Sequence, residues 1–497
     1  MMNGCRLPGP HHPRTIIMRT EADQPRPLER VALRFTELSE RWLPDAFIFA
    51  LLATVVVVIA GLTAGGATPG GIAVIWGKGF WSLIPFTMQM ALIVITGTVV
   101  ATAAPVQRFI DRLAGIPGGN RTAVVFVAVV SMITSWFNWG FSLVFSAVLV
   151  RAVARRLPSV DYRTLAACSL LGLGSVWAQG LSGSAALQMA TPGMLPDGIR
   201  DVVANGGGAA GTVNGGIIPL ADTIFLWQSL LAVLVEIVVV AALIWFIVPT
   251  GTRIRTAAHL DIDLQPREQG TGNRDRDAKR SPGEWLEHQW WVNAIVVLLA
   301  GTYLLLSVKS AESITSAITL DRLNLFFLTL GFALHRTPAR FMQAFRDAVP
   351  PTWGVILQFP FYGAIAAIIT DTHLNAKIAG FFTAIATRDT FPALIAAYSA
   401  VLGVFVPSGG SKWVLEAPYV MQAAHNLHVH LGWMVAVYDL GEALANLVQP
   451  FWMLPVLALL GLKARDVMGV TFTVFVVLFP LVLVLVTVLG GTLAYPL

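Results

Sequence analysis

SWFNWGFS at residues 135–142 and VPSGGSKW at residues 406–413 each interrupt an apolar stretch of this chain. Their Gly, Pro, Ser and Asn residues disfavour a continuous helix. Irregular backbone is tolerated at membrane depth only where it is buried in protein or lines a wet cavity. Both octapeptides are therefore predicted to be chain reversals, and their tips are candidate binding elements.

The composition around these two segments indicates a membrane protein. Of the 497 residues, 56% are hydrophobic and 12% are charged, whereas a soluble chain carries about 25% charged residues. Apolar runs of about 20 residues, enough to cross about 30 Å of hydrocarbon, recur from Ala46 to the C-terminus. A β-barrel would show short alternating segments instead. The sequence predicts an all-α polytopic membrane protein.

The two halves of the chain resemble each other at one constant offset in residue number. Thr68-Pro69 is matched by Thr337-Pro338, and at the same offset NWG at 138–140 is matched by PSG at 407–409. A fixed offset of this kind is typical of an internal duplication. It predicts two repeats, each with one chain reversal and one broken helix.

The positive charges in short loops predict that the two repeats are inverted, because Lys and Arg accumulate on the cytoplasmic side. Loop 65–82 contains only Lys78, whereas its counterpart 336–351 contains three Arg residues. The bias is reversed between loop 104–122, which has three Arg residues, and loop 372–391, where charges nearly balance. Matched loops are therefore expected on opposite sides of the bacterial inner membrane.

This orientation predicts a complete domain organisation, with the N-terminus in the cytoplasm and the C-terminus in the periplasm. A re-entrant hairpin at 121–154 enters from the cytoplasm, and another at 392–424 enters from the periplasm. The predicted parts are a cytoplasmic tail (1–45), the first inverted repeat (46–250), a cytoplasmic polar linker (251–289), a connecting span (290–315) and the second inverted repeat (316–497).

The helix that leaves each tip is predicted to direct free backbone N–H groups toward the bilayer centre, an arrangement that favours a carboxylate. The alternative is that Gly and Asn merely permit tight helix packing. The candidate substrate-binding residues at the tips are Asn138, Trp139, Gly140, Ser142, Ser408, Gly409, Gly410, Ser411 and Lys412.

Lys412 is the one charged residue at a tip, and a charge near the bilayer centre is costly unless paired or hydrated. It is a candidate for binding the anion directly. The alternative is a structural ion pair with Glu416, four residues later on the same helix.

A polar, broken segment follows each hairpin, at 177–193 and at 438–452. Such discontinuous helices supply hydroxyl, amide and carbonyl groups without net charge. The candidate ligands in these segments are Ser182, Ser184, Thr191, Asn446 and Gln449.

Four carboxyl groups in apolar segments are candidates for proton coupling, because intramembrane carboxyl groups are often proton relays. They are Asp439, Glu442, Glu416 and Glu236. For Glu236, alone in an apolar helix, the alternative is a protonated side chain bonded to a neighbouring helix.

Other chemistries find little support in the sequence. His425, His428 and His430 lack Cys or carboxylate companions, so a solvated loop is favoured over a metal site. No cofactor motif, P-loop or HExxH motif occurs, which argues against ATP-driven export and against an integral-membrane enzyme. Most Trp residues are expected to be interfacial anchors, with Trp139 and Trp413 as exceptions.

The chain resembles the bacterial short-chain fatty acid transporter family, the acetoacetate and butyrate uptake proteins, from about Arg34 onward. The motifs that carry the resemblance are RWLPDAFIFALL (41–52), GFWSLIPFTMQMALIVITG (79–97), NWGFSLV (138–144), GLSGSAALQMATPG (180–193) and PSGGSKW (407–413).

The resemblance implies proton-coupled uptake of short-chain monocarboxylates, in a fold similar to the ion-transporter superfamily. Sodium-coupled transport of dicarboxylates or other small organic anions is the alternative, because a fold does not determine the cargo. The expected partners are a small carboxylate, a proton or sodium ion and membrane lipid. A homodimer is compatible with the sequence, and no nucleic acid is expected.

Overall fold

The computed structural model describes residues 46–205, 213–265, 281–311 and 313–497, and within these ranges it is helical without strands. The predicted all-helical class is therefore confirmed. The predicted tail 1–45 and residues 266–280 of the linker lie outside the described residues.

The helix bounds follow the apolar segments of the sequence. The helices of the first half are Ala46–Thr63, Pro69–Ser82, Ile84–Thr102, Ala104–Leu113, Asn120–Phe137, Trp139–Arg156, Tyr162–Cys168, Ser184–Ala190, Asp197–Asn205 and Trp227–Ile247. Those that follow are Pro282–Glu287, Trp290–Lys309, Ile314–Ala317, Leu320–His335, Pro338–Ala348, Trp353–Asp371, Leu374–Ile385, Phe391–Phe405, Gly409–Leu427, Leu431–Ala445, Met453–Leu460 and Ala464–Gly490.

Several helical stretches are long and apolar enough to cross a membrane. Within the described residues they are Pro69–Thr102, Asn120–Phe137, Trp227–Ile247, Trp290–Lys309, Pro338–Asp371 and Ala464–Gly490. Trp290–Lys309 is exposed along most of its length, with Leu298 and Leu299 each 69% exposed. An apolar surface of this kind is stable only against lipid or another apolar partner. The chain is therefore a multi-pass membrane protein.

The first predicted chain reversal is present at Asn138, and we call helices Asn120–Phe137 and Trp139–Arg156 the first hairpin. Asn138 has extended backbone angles between the two helices. The hydroxyl of Ser142 donates to the carbonyl of Ser131 at 3.0 Å. Eleven residues along a continuous helix would separate these groups by about 16 Å, so the chain doubles back.

The second predicted reversal lies at Val406–Ser408, and we call helices Phe391–Phe405 and Gly409–Leu427 the second hairpin. The ammonium of Lys412 donates to the carbonyl of Ser399 at 3.0 Å, across thirteen residues of sequence. The C-terminal end of one helix thus lies beside the N-terminal turn of the next, as in the first hairpin.

The two hairpins point toward each other from opposite ends of helix Ala464–Gly490, which is about 40 Å long. Near its N-terminus Asp466 pairs with Arg163 at 3.3 Å, close to the base of the first hairpin. Beyond its C-terminus the carbonyl of Leu493 accepts from Arg388 at 3.0 Å, just before the second hairpin begins. The bases are therefore far apart, and the tips meet between them.

The offset that separates Thr68 from Thr337 in the sequence also relates helix bounds. Ile84–Thr102 and Trp353–Asp371 have equal lengths and are related by this same offset at both ends. The start of Met453–Leu460 is likewise related to the start of Ser184–Ala190. The two halves also exchange packing partners. Ala46–Thr63, in the first half, packs on Trp353–Asp371 in the second half. Conversely, Leu320–His335, in the second half, packs on Ile84–Thr102 in the first half.

Candidate functional site

A small cavity of about 30 Å³ lies between the two hairpin tips, with room for one or two water molecules. Both broken segments and two long helices contribute to its wall. The lining residues, none of them charged, are Met90, Trp139, Leu173, Trp177, Ser184, Val355, Phe359, Ser408, Gly409, Gly410, Asn446 and Trp452. Six of these are among the predicted binding residues: Trp139, Ser184, Ser408, Gly409, Gly410 and Asn446.

The second tip presents an uncapped helix N-terminus to this cavity. Ser408 is the N-cap residue of helix Gly409–Leu427, but its side chain makes no capping hydrogen bond. Within the described residues, no acceptor is found for the backbone N–H groups of Gly409, Gly410 and Ser411. The hydroxyl of Ser411 is also buried without a partner. These donors, together with the positive end of the helix dipole, suit a carboxylate.

At the first tip two backbone donors are paired with side chains, whereas the buried side-chain N–H groups of Asn138 and Trp139 have no partner within the described residues. The side chain of Asn138 accepts from the backbone N–H of Phe141 at 2.8 Å. The hydroxyl of Ser182 accepts from the backbone N–H of Trp139 at 3.0 Å. Gly140 packs against helix Ile84–Thr102, where a Cβ would lie 2.9 Å from the carbonyl oxygen of Ile93. Gly140 therefore allows close helix packing here, the role that the sequence left open beside substrate binding.

Aromatic and aliphatic side chains form most of the cavity wall. Trp139 lies edge-on to Trp177 and Trp452, with ring centroids 5.9 and 5.2 Å apart. The indole N–H of Trp452 donates to the carbonyl of Pro407 at 2.7 Å and so joins the two tips. Sequence reasoning missed Trp177 and Trp452 because it read most Trp residues as interfacial anchors. Their position inside the polar, broken segments was the available signal.

The glycines of the second tip are tightly enclosed. A Cβ on Gly409 would lie 2.7 Å from the ring of Trp177. A Cβ on Gly410 would lie 2.6 Å from the ring of Phe86 and 3.0 Å from the Cβ of Ser184. The amide of Gln188 donates to the carbonyl of Gly410 at 2.8 Å and fixes the turn. Only glycine lets the helix start so close to these walls.

The remaining predicted polar residues hold the backbone in place. Ser142 bonds within the first hairpin, and Thr191 accepts from the N–H of Leu320 at 3.1 Å. Gln449 donates to Asn446 at 2.7 Å. The amide of Asn446 in turn donates to the carbonyl of Leu173 at 3.2 Å. Of this group only Asn446 reaches the cavity wall.

Lys412 is fully buried and is not among the cavity-lining residues. Its ammonium lies 2.9 Å from Glu416 and 2.8 Å from Glu442. The Glu416 contact is a hydrogen bond, whereas the Glu442 contact is an ion pair outside hydrogen-bond geometry. The Glu416 pair is the alternative that the sequence left open. The partner on the neighbouring helix, Glu442, was not foreseen.

The buried charge cluster, which we define as Lys412, Glu416, Glu442 and Asp439, contains one ammonium and three carboxyl groups. Each of the four residues is at most 1% exposed. Tyr438 connects the cluster to the cavity, because its hydroxyl donates to the carbonyl of Gly409 while its ring lies 4.3 Å from the Lys412 ammonium.

Glu236 lies apart from the cluster, fully buried in the middle of helix Trp227–Ile247. Neither carboxyl oxygen has a hydrogen-bond partner within the described residues. The amide of Gln179 is also buried without a hydrogen-bond partner. It lies close enough to the Glu236 carboxyl group to interact with it. Glu236 is thus a further buried carboxyl group, separate from the buried charge cluster and from the cavity wall.

The histidines near the base of the second hairpin have structural partners. His425 bonds to the Tyr495 hydroxyl and to the Val203 carbonyl, each at 2.9 Å. His430 caps the next helix by accepting from the N–H of Trp433 at 3.0 Å, and burial lowers its pKa to about 4. In the part of the chain that the structure describes, no three His, Cys, Asp or Glu side chains are arranged so that they could hold a metal ion.

Two opposed hairpins and two broken helices that meet around an enclosed cavity define a membrane transport protein, because secondary carriers build their binding sites from such discontinuous helices. The chain belongs to the short-chain fatty acid transporter family, whose model, described as Short chain fatty acid transporter, matches residues 27–489. The resemblance stated from the sequence motifs is therefore confirmed.

Two relatives carry the provisional name short-chain fatty acid transporter. The protein of Escherichia coli (strain K12) is 34% identical over 447 residues, which cover 89% of this chain and 96% of the relative. The protein of Haemophilus influenzae (strain ATCC 51907 / DSM 11121 / KW20 / Rd) is 32% identical over 458 residues, covering 92% and 99%.

Solved transporter structures show the same fold. The YdaH transporter of Alcanivorax borkumensis, described as having an unusual topology, has a TM-score of 0.56 at 13% identity, covering 90% of this chain and 98% of that one. MtrF of Neisseria gonorrhoeae, described within a class of antimetabolite efflux pumps, has a TM-score of 0.54 at 15% identity, covering 93% and 97%.

Proposed function

We propose that this transporter takes up short-chain monocarboxylates, such as butyrate or acetoacetate, across the bacterial inner membrane together with protons. The observation that carries the proposal lies on one helix, Gly409–Leu427. Its uncapped N-terminus faces a neutral cavity, and its first two turns carry Lys412 and Glu416 of the buried charge cluster. The names of the two relatives support the substrate class.

The carboxylate is placed at the second tip. There it accepts from the backbone N–H groups of Gly409, Gly410 and Ser411, and from the Ser411 hydroxyl if that side chain turns toward it. The helix N-terminus adds a positive potential equivalent to about half a charge. In the present conformation the cavity of about 30 Å³ holds water only. The tips must therefore separate to admit the substrate.

The apolar wall receives the acyl chain. Each buried methylene stabilises binding by about 0.8 kcal/mol, and the walls formed by Trp139, Trp177 and Trp452 offer such contacts. A second carboxylate would meet no charged partner among the lining residues, and burying an unpaired charge is costly. The lining therefore favours a monocarboxylate over the dicarboxylate alternative.

Proton coupling is assigned to the buried charge cluster. One ammonium balances one carboxylate, so the cluster is electrically neutral only if two of its three carboxyl groups hold protons. Glu442 is the favoured carrier, because it contacts Lys412 while its Cγ would lie 3.4 Å from a Cβ on Gly409 at the cavity wall. A substrate carboxylate bound there raises the local negative charge, and proton uptake offsets it.

The topology that we propose from the loop charges agrees with this placement of the substrate between the two tips. Two inverted repeats are supported by the shared offset in helix bounds, by the exchanged packing between halves and by the opposed hairpins. The arginine-rich loops then face the cytoplasm, with the N-terminus cytoplasmic and the C-terminus periplasmic. Each hairpin brings its tip to the substrate from a different side.

The test is uptake of radiolabelled butyrate into proteoliposomes that contain the purified protein, with pH and sodium gradients imposed separately. We expect accumulation when the outside is acidic, no stimulation by sodium, and no uptake of labelled succinate. Accumulation driven by sodium, or by neither gradient, would contradict proton coupling.

Glu442→Gln locates the proton site. We expect this variant to lose accumulation driven by the pH gradient while it retains exchange of internal for external butyrate, because exchange needs no net proton movement. Glu287→Gln is the matched control, since Glu287 is exposed and outside the cavity. Full pH-driven accumulation by Glu442→Gln would place the coupling elsewhere.

A further inference from the structure

A second, larger cavity of about 760 Å³ opens on the outer surface of the helices and shares no lining residue with the cavity between the hairpin tips. Its wall combines basic, polar and apolar side chains from helix Trp290–Lys309 and from the turn between Leu320–His335 and Pro338–Ala348. The lining includes Trp290, Val297, Phe332, Arg336, Thr337 and Arg340.

The two arginines of this groove have no internal counter-charge. Arg336 and Arg340 are both exposed, and within the described residues neither guanidinium forms an ion pair. The N-terminus of helix Pro338–Ala348 lies between them, and its N-cap residue, Thr337, makes no capping hydrogen bond. The Thr337 hydroxyl has no partner either. Two guanidinium groups beside open helix donors match the oxygens of a phosphate.

Arg336 is held in a strained backbone conformation. Its φ of 64° and ψ of −41° place it at the centre of a γ-turn, closed by the Thr337 N–H to the His335 carbonyl at 2.7 Å. Such turns are rare and strained, and positive φ at a helix end is usually taken by glycine. An arginine here costs stability that glycine would not, which indicates that its side chain has a role.

The surroundings select the phosphate of a lipid over a free anion. Helix Trp290–Lys309 is exposed to the bilayer along most of its length, and Trp290, at the mouth of the groove, is 67% exposed. Tryptophan at a helix end is typical of the headgroup region. Val297 and Phe332 add an apolar floor that an acyl chain can cover.

We propose that this groove binds the headgroup of an anionic phospholipid, with Arg336 and Arg340 on its phosphate. The site does not depend on the transported substrate or the coupling ion. Basic grooves between transmembrane helices recognise such headgroups in this way, and each basic side chain near an anionic lipid contributes about 1 kcal/mol, or roughly five-fold in affinity.

The test uses the full-length protein, delipidated in a neutral detergent. Phosphatidylglycerol, cardiolipin or phosphatidylcholine is added, and bound lipid is counted by native mass spectrometry while Tm is followed by Trp fluorescence. We expect retention of the anionic lipids and a raised Tm, with little effect of phosphatidylcholine. Arg340→Gln should weaken lipid binding roughly five-fold, and Arg336→Gln/Arg340→Gln should abolish the Tm shift.

Two further variants separate lipid binding from a merely structural role. Arg346→Gln is the matched control, because Arg346 is exposed on the same helix but outside the groove. Arg336→Gly should keep or raise the lipid-free Tm by relieving the γ-turn, yet weaken the binding of anionic lipid roughly five-fold, as Arg340→Gln does. The proposal is overturned if phosphatidylcholine acts equally, if Arg346→Gln loses as much binding, or if inorganic phosphate alone reproduces the full shift.

Discussion

Lys412→Met tests the buried charge cluster directly. The substitution keeps a long unbranched side chain but removes the ammonium that lies 2.9 Å from Glu416 and 2.8 Å from Glu442, all three residues being fully buried or nearly so. Breaking a buried pair by removing one partner costs about 3–5 kcal/mol, because a charge is left uncompensated. At about 2 °C per kcal/mol, as in larger domains, Tm should fall by roughly 6–10 °C.

The loss should also depend on pH. Without the ammonium, the folded cluster is neutral only if all three carboxyl groups hold protons, which is one proton more than in the folded wild type and three more than in the unfolded chain at neutral pH. Stability then decreases as pH rises, with a slope of about 1.4 kcal/mol per pH unit for each extra proton. The Tm difference between wild type and Lys412→Met should therefore be larger at pH 8 than at pH 6.

Thermal unfolding in detergent, followed by intrinsic Trp fluorescence, measures both effects. Adding Glu416→Gln and Glu442→Gln to Lys412→Met should restore much of the lost Tm and flatten its pH dependence, because amides carry no charge to compensate. Lys309→Met, at an exposed lysine, is the control. The reasoning is refuted if Lys412→Met unfolds like wild type at every pH, or if the triple variant is no more stable than the single one.

The cavity and the outlying groups yield further predictions. Gly410→Ala should lower the rate of butyrate uptake and cost about 1–3 kcal/mol of stability through overpacking, whereas Gly380→Ala, with open space around it, should change neither. Glu236→Gln should keep pH-driven uptake while raising Tm at pH 8, since its carboxyl oxygens lack partners; lost coupling would instead make Glu236 the proton carrier. His430, whose pKa is lowered to about 4 by burial, should make Tm fall as pH drops from about 6.5 toward 4. His430→Asn keeps a capping side chain for Trp433 and should remove that fall, and an unchanged pH profile would exclude His430.

The chain reversals were predictable because their cause is local. Helix-breaking residues within apolar sequence can occur only where protein encloses them, and that condition pointed to Asn138 and Ser408 without any knowledge of their neighbours. The constant offset between the two halves was visible in the same way, and the structure shows it again in the equal lengths of Ile84–Thr102 and Trp353–Asp371. Both features depend on short stretches of chain.

The direction of the Lys412 side chain was not predictable in full. Its contact with Glu416 follows from helical spacing, but Glu442 lies on a different helix, and only tertiary packing brings the two together. The same holds for Trp177 and Trp452, because the sequence alone does not distinguish a cavity-lining Trp from an interfacial anchor.

Trp413 was expected to be an exception to the interfacial anchors. It is fully buried against Tyr438, with ring centroids 4.8 Å apart, and does not line the cavity.

A lysine turned away from the cavity suits a carrier better than one turned into it. A full positive charge in a dry cavity would hold a carboxylate strongly, and a carrier must release its cargo on the other side. Backbone N–H groups at a helix N-terminus provide only about half a charge, so they can orient the anion without trapping it. Lys412 instead contacts Glu416 and Glu442, within one turn of Gly409, and balances one negative charge between them. In the proposed mechanism, protonation of that cluster changes the potential felt by the anion and so couples the two ligands without direct contact between them.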